Sequence, residues 1–160
     1  MKIVELNKNT EIQSLRGIAI ISVIAFHTGF PFFSIGYLGV DIFFVISGFL
    51  MVQAFDNKNK SLIKFYESRI KRILPLYAFI LAATLTFFPW IMLDSERWDY
   101  YQGLFASAIF LPNVFYFYEL GYFNPDALAQ PLLHLWSLGV EIQYYFLFPL
   151  IYLFCQKIRK

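Results

Sequence analysis

The sequence has 160 residues, of which 59% are hydrophobic, 21% aromatic and only 15% charged, and its mean hydropathy is +0.56. A soluble domain of this size cannot bury that much apolar surface, so the composition excludes a water-soluble globular fold and indicates an all-α integral membrane protein. The net charge of +2 comes with no basic face for a nucleic acid, and a single cysteine, Cys155, excludes an internal disulfide or a thiolate metal cluster.

In chain order, Thr10-Glu-Ile-Gln13 fits a capping box that starts the first helix. Glu5, Glu11 and Arg16 precede the first apolar run and no small-x-small site follows it, so it reads as a retained helix rather than a signal peptide. Apolar stretches near bilayer-spanning length cover 17–33, 36–55, 73–93, 100–118 and 131–155. Lys58, Lys60, Lys64, Arg69, Lys71 and Arg72 fall between the second and third, which makes that loop cytoplasmic. Lys2, Lys8 and Arg16 put the N-terminus on the same side, as two crossings require. The 94–99 loop, with one arginine and three acids, belongs outside.

A fifth crossing at 100–118 would put the acidic 119–130 loop inside and the tail Lys157-Ile-Arg-Lys160 outside, against the charge rule. Leu111-Pro112-Asn113 lies in the middle of that stretch, where proline breaks a helix. The preferred topology is therefore four spanning helices (17–33, 36–55, 73–93 and 131–155) with 100–118 re-entrant from the outer face; five plain helices are the alternative.

Arg16 and His27 flank the first apolar run and share one helix face, roughly 16 Å apart along the axis. In this topology Arg16 is at the cytoplasmic edge and His27 in the outer half. Asp41 lies about 7 Å and Glu141 about 12 Å in from the outer face, at 1.5 Å per residue. His27, Asp41 and Glu141 thus fall in one layer, an imidazole and two carboxylates that suggest an acid–base site. The bland readings are a snorkelling Arg16 and a packed histidine. A metal site has no ligand spacing to support it.

Arg69 and Arg72, three apart, neighbour each other on a helix surface. They serve either the positive-inside rule or a guanidinium clamp for a phosphorylated ligand. His134, Trp136, Ser137, Glu141 and Gln143 crowd the start of the last stretch. A membrane anchor needs only the tryptophan, so the group reads as the wall of a substrate site.

Four pieces in order carry a resemblance: Arg16-x10-His27, Gly39-Val-Asp41-Ile-Phe-Phe-Val-Ile-Ser47-Gly48-Phe-Leu, Arg69-x-x-Arg72 with Pro75, and His134-Leu-Trp-Ser-Leu before Glu141. Together they resemble the acyltransferase-3 family, bacterial integral-membrane O-acyltransferases of surface carbohydrates. Ile142, where an acid often follows the glutamate, and Tyr144, in place of phenylalanine, depart from the pattern. The resemblance implies a cytoplasmic acyl-coenzyme A donor, acetyl by default, and no permanently bound cofactor. It also implies a carbohydrate hydroxyl acceptor on the outer side of a bacterial inner membrane. Arg16, Arg69 and Arg72 would then bind the coenzyme's phosphates. His27 would act as base or acyl carrier, with Asp41 as its orienting partner and Glu141 tuning His27 or binding the acceptor. Family members have more membrane helices than this chain, so residues 1–160 resemble the N-terminal part of such a domain, inactive alone or completed by helices of a longer or second chain. A proton-relay or transport module and a non-catalytic assembly partner are the rival readings.

Overall fold

The computed structural model describes residues 2–56, 61–120 and 130–158, and among them the chain is helical with no strand. Lys58 and Lys60, most of the 119–130 loop and the end of the tail, on which part of the expected orientation rests, lie outside the described residues. The chain divides into two compact units, Met1–Lys60 and Ser61–Lys160.

The first unit is a helical hairpin. Helix α1 runs Lys2–His27 and α2 runs Leu38–Asp56. The expected capping box does not start α1. Residues 2–9 contain no glycine or proline to interrupt a helix, so Thr10 lies about two turns inside and its carbonyl accepts from Ser14 Oγ at 3.0 Å. Nor is 17–33 one helix. After His27 the chain turns, with Gly29 at φ 66° and Phe32 at φ 78°, both left-handed. Two glycines then let α2 close on α1. A Cβ at Gly39 would lie 2.6 Å from the Ala19 carbonyl oxygen and 2.7 Å from Val23 Cγ2, and one at Gly36 would strike the Ser22 carbonyl oxygen.

The second unit holds α3 (Leu62–Phe87), a 3-10 turn (Phe88–Trp90), α4 (Asp94–Ala108), α5 (Pro112–Leu120) and α6 (Leu135–Ile158). Helix α3 begins about three turns before the expected 73–93 span, because its basic first half is itself made of helix formers. Ser61 caps it, its Oγ accepting from Ile63 N at 3.3 Å, and Lys71 pairs with Glu67 one turn back at 2.6 Å. Hydropathy marks where α3 becomes apolar, not where it starts. The stretch 100–118 is broken, as Pro112 led us to expect: α4 ends at Ala108, Phe110 is left-handed at φ 61°, and Pro112 opens α5.

The break is sealed by α6. Gln143 Nε2 donates to the Phe110 carbonyl oxygen and to Asn113 Oδ1, both at 2.8 Å, and Asn113 Nδ2 donates back to Gln143 Oε1 at 3.2 Å. Gly139 makes room for Pro112, whose Cγ and Cδ would sit 3.0 Å from a Cβ there. The core of this unit joins Tyr77 of α3, Tyr100 of α4, Tyr116 of α5, and Leu135 and Ile142 of α6. Tyr77 turns its hydroxyl to the Ser107 carbonyl oxygen at 2.8 Å, so its burial leaves no polar group unmet.

Two helices among the described residues are long and apolar enough to cross a bilayer: α3 with its 3-10 extension, Leu62–Trp90, and α6, Leu135–Ile158. Only 17% and 22% of their apolar windows are buried, whereas the core helix of a soluble protein would be mostly covered. The apolar part of α2, Leu38–Ala54, is shorter, at the lower end of the length that spans a bilayer.

Candidate active site

In the first unit the sequence-selected residues are spread along the hairpin. Arg16, half-buried, and His27, exposed, lie on α1 at the expected spacing of eleven residues, and Asp41 is exposed in the first turn of α2. His27 closes the last turn of α1, where its Nδ1 lies 2.8 Å from the Val23 carbonyl oxygen. A carbonyl only accepts, so Nδ1 carries a proton, and in the neutral ring the lone pair is then on Nε2. Nδ1 is thus held by the backbone, and no hydrogen bond joins His27 to Asp41 among the described residues. Phe26 and Tyr37 pack edge-to-face at 5.7 Å beside the imidazole, which itself meets the Phe26 ring at 5.3 Å. Asp41 suits the positive end of α2's dipole.

In the second unit α3 and α6 bring four polar side chains together. Arg72 Nη2 lies 3.2 Å from Glu141 Oε1 and 3.2 Å from the Tyr145 hydroxyl, which in turn donates to Glu141 Oε1. The guanidinium of Arg69 stands 5.3 Å from the Phe65 ring centroid and 5.4 Å from that of Tyr145. Glu141 is well covered at 16% side-chain exposure, and Arg72 is reachable at 43%. Prolines flank the cluster. Pro75 cannot donate to the Lys71 carbonyl, nor Pro149 to that of Tyr145, so both helices are loosened beside it.

Sequence reasoning separated Arg72, at the cytoplasmic rim, from Glu141, in an outer layer; the structure joins them. The reason is the early start of α3, which puts Arg72 about 15 Å along the helix. Tyr145 was missed, although it lies four residues from Glu141 and so on the same face of α6. Gln143, counted with the site wall, serves the α4–α5 break instead. His134, Trp136 and Ser137 sit at the entrance to α6, where Ser137 Oγ donates to the His134 carbonyl oxygen at 3.3 Å. His27 and Asp41 belong to the first unit and Glu141 to the second.

Residues 9–160 match the acyltransferase domain that defines the acyltransferase-3 family. The chain belongs to that family. Among curated relatives, it is 35% identical over 153 residues to the O-acetyltransferase OatA of Staphylococcus aureus strain NCTC 8325, covering 89% of this chain and 24% of the relative. It is 36% identical over 147 residues to the peptidoglycan O-acetyltransferase OatA of Listeria monocytogenes, covering 86% and 23%. The chain thus spans about a quarter of the length of these relatives. No solved structure matches it. Family membership and the two long apolar helices make this acyltransferase-3 chain a membrane protein.

Proposed function

We propose that the chain takes part in transferring an acyl group, acetyl in the simplest case, from acyl-coenzyme A at the cytoplasmic face to a hydroxyl of an extracytoplasmic carbohydrate. The observation that carries this reading is the pair of arginines held on α3 by α6 within a chain of the acyltransferase-3 family. Guanidinium groups match phosphate oxygens in charge and geometry, and coenzyme A is rich in phosphate. Arg69 and Arg72 bind those phosphates in this reading, and for Arg16 the same role rests on the family pattern alone. The names of the two relatives, an O-acetyltransferase and a peptidoglycan O-acetyltransferase, favour oxygen as the accepting atom and a cell-surface glycan as its bearer.

His27 is the base. In the neutral ring the Nδ1 bond to the Val23 carbonyl leaves the lone pair on Nε2, which takes the proton of the acceptor hydroxyl. The oxygen bonds to the thioester carbonyl carbon, the carbon–sulfur bond breaks, and the departing coenzyme A thiolate recovers the proton from the imidazolium. Glu141 holds Arg72 in place. His134, Trp136 and Ser137 line the acceptor's approach at the mouth of α6.

The topology that suits this chemistry has four crossings of the bacterial inner membrane, the N-terminus in the cytoplasm, and 100–118 entering and leaving on the outer face. Its broken backbone, sealed by Gln143, fits a segment that protein must bury. Further membrane helices, from a longer chain or a second one, complete the enclosure.

The test supplies labelled acetyl-coenzyme A to the cytoplasmic face of membrane vesicles from cells producing the protein. Alkali-labile label on surface carbohydrate, absent from vesicles lacking the protein, is the expected result. Equal labelling with and without it overturns the reading.

A further inference from the structure

Tyr145 touches each of the other three polar groups in the α3–α6 cluster. Its hydroxyl accepts from Arg72 Nη2 at 3.2 Å and donates to Glu141 Oε1, and its ring lies under Arg69 at 5.4 Å. The same ring meets Phe65 edge-on, at 6.4 Å between centroids and 90° between planes, so Arg69 stands against two aromatic faces from different helices. Tyr145 is itself buried at 5% exposure, which fixes these contacts.

We propose that Tyr145 is a positioning residue for the anionic ligand of Arg69 and Arg72; this rests on the donor-clamp reading above. The chemistry explains why a tyrosine serves there. An arginine facing a bare carboxylate closes on it in a two-pronged pair, and its charge is then spent. Here Arg72 meets Glu141 through Nη2 alone, at 3.2 Å, and the Tyr145 hydroxyl closes the triangle, accepting from that same nitrogen and donating to that same carboxylate oxygen. Nη1 and Nε of Arg72 are left for a phosphate, and the side chain is 43% exposed to receive one. The ring contributes separately, holding Arg69 by its π face. A phenylalanine would keep the second function and lose the first.

The experiment uses the whole protein in detergent or lipid discs, with acetyl-coenzyme A as the probe in equilibrium binding and in steady-state transfer. Tyr145→Phe weakens acetyl-coenzyme A binding about tenfold, as expected for losing a hydrogen bond to a charged group. Its KM for the donor rises by a similar factor while kcat at saturating donor holds. Tyr145→Leu, which also removes the ring beneath Arg69, weakens binding further. Wild-type affinity in Tyr145→Phe, or a fall in kcat with KM unmoved, overturns the proposal. Arg69→Gln/Arg72→Gln separates the two claims. Lost binding there, with wild-type binding in Tyr145→Phe, sinks only the role of Tyr145. Binding retained in the double variant sinks the donor clamp and this proposal together.

Discussion

Arg72 of α3 and Glu141 of α6, 69 positions apart, form an ion pair at 3.2 Å that ties the two longest apolar helices of the second unit to each other. With one partner at 16% exposure, the pair is sheltered, and removing the cation alone leaves a carboxylate with little water. Arg72→Met should therefore lower stability by about 1 kcal/mol, the usual scale for polar contacts between membrane helices. The double variant Arg72→Met/Glu141→Leu should recover part of that loss. Thermal unfolding in detergent across the full double-mutant cycle checks both values, and strictly additive effects would mean the pair carries no coupling.

The α1–α2 hairpin makes a second prediction, built on two glycines of opposite surroundings. Gly39→Ala places a methyl 2.6 Å from the Ala19 carbonyl oxygen, backbone that cannot swing aside, and should destabilise by about 1–3 kcal/mol. A Cβ at Gly17 meets nothing within 4 Å, so Gly17→Ala should be neutral or stabilise by about 0.5–1 kcal/mol through helix propensity. Melting temperatures of the two variants should move in opposite directions, or at least differ clearly.

Topology can be read by labelling. In a Cys155→Ser background, Ser95→Cys marks the start of α4 and Glu119→Cys the end of α5, both positions being exposed. A re-entrant segment puts the two on one side. A membrane-impermeant maleimide added to intact spheroplasts should then label both from outside. Labelling of Ser95→Cys alone would make 100–118 a full crossing.

How much of this was legible beforehand follows from the physics of each signal. Pro112 announced the α4–α5 break because a missing N–H and a ring clash act locally, whatever packs nearby. The start of α3 was not legible from hydropathy. Its first turns are polar but still helical, and that error of about three turns moved Arg72 away from Glu141 on paper. The turn after His27 was hidden in a run of apolar residues, where only Gly29 hinted at the left-handed backbone that ends α1. Tyr145 carries no individual signal among 11 tyrosines and 20 phenylalanines; its role exists only once α3 lies against α6. The orienting partner of His27 was sought among carboxylates, while the helix offered its own carbonyl one turn back.

Donor binding and the chemical step are separate in this account, and His27 is the residue that divides them. The most direct measurement compares wild type with His27→Ala, following acetyl-coenzyme A binding and O-acetylation of surface carbohydrate in the same membranes. His27→Ala should bind acetyl-coenzyme A within about twofold of wild type, because loss of a base leaves the clamp intact, yet transfer about 10²–10⁴-fold more slowly. Transfer at the wild-type rate in His27→Ala would contradict the central claim.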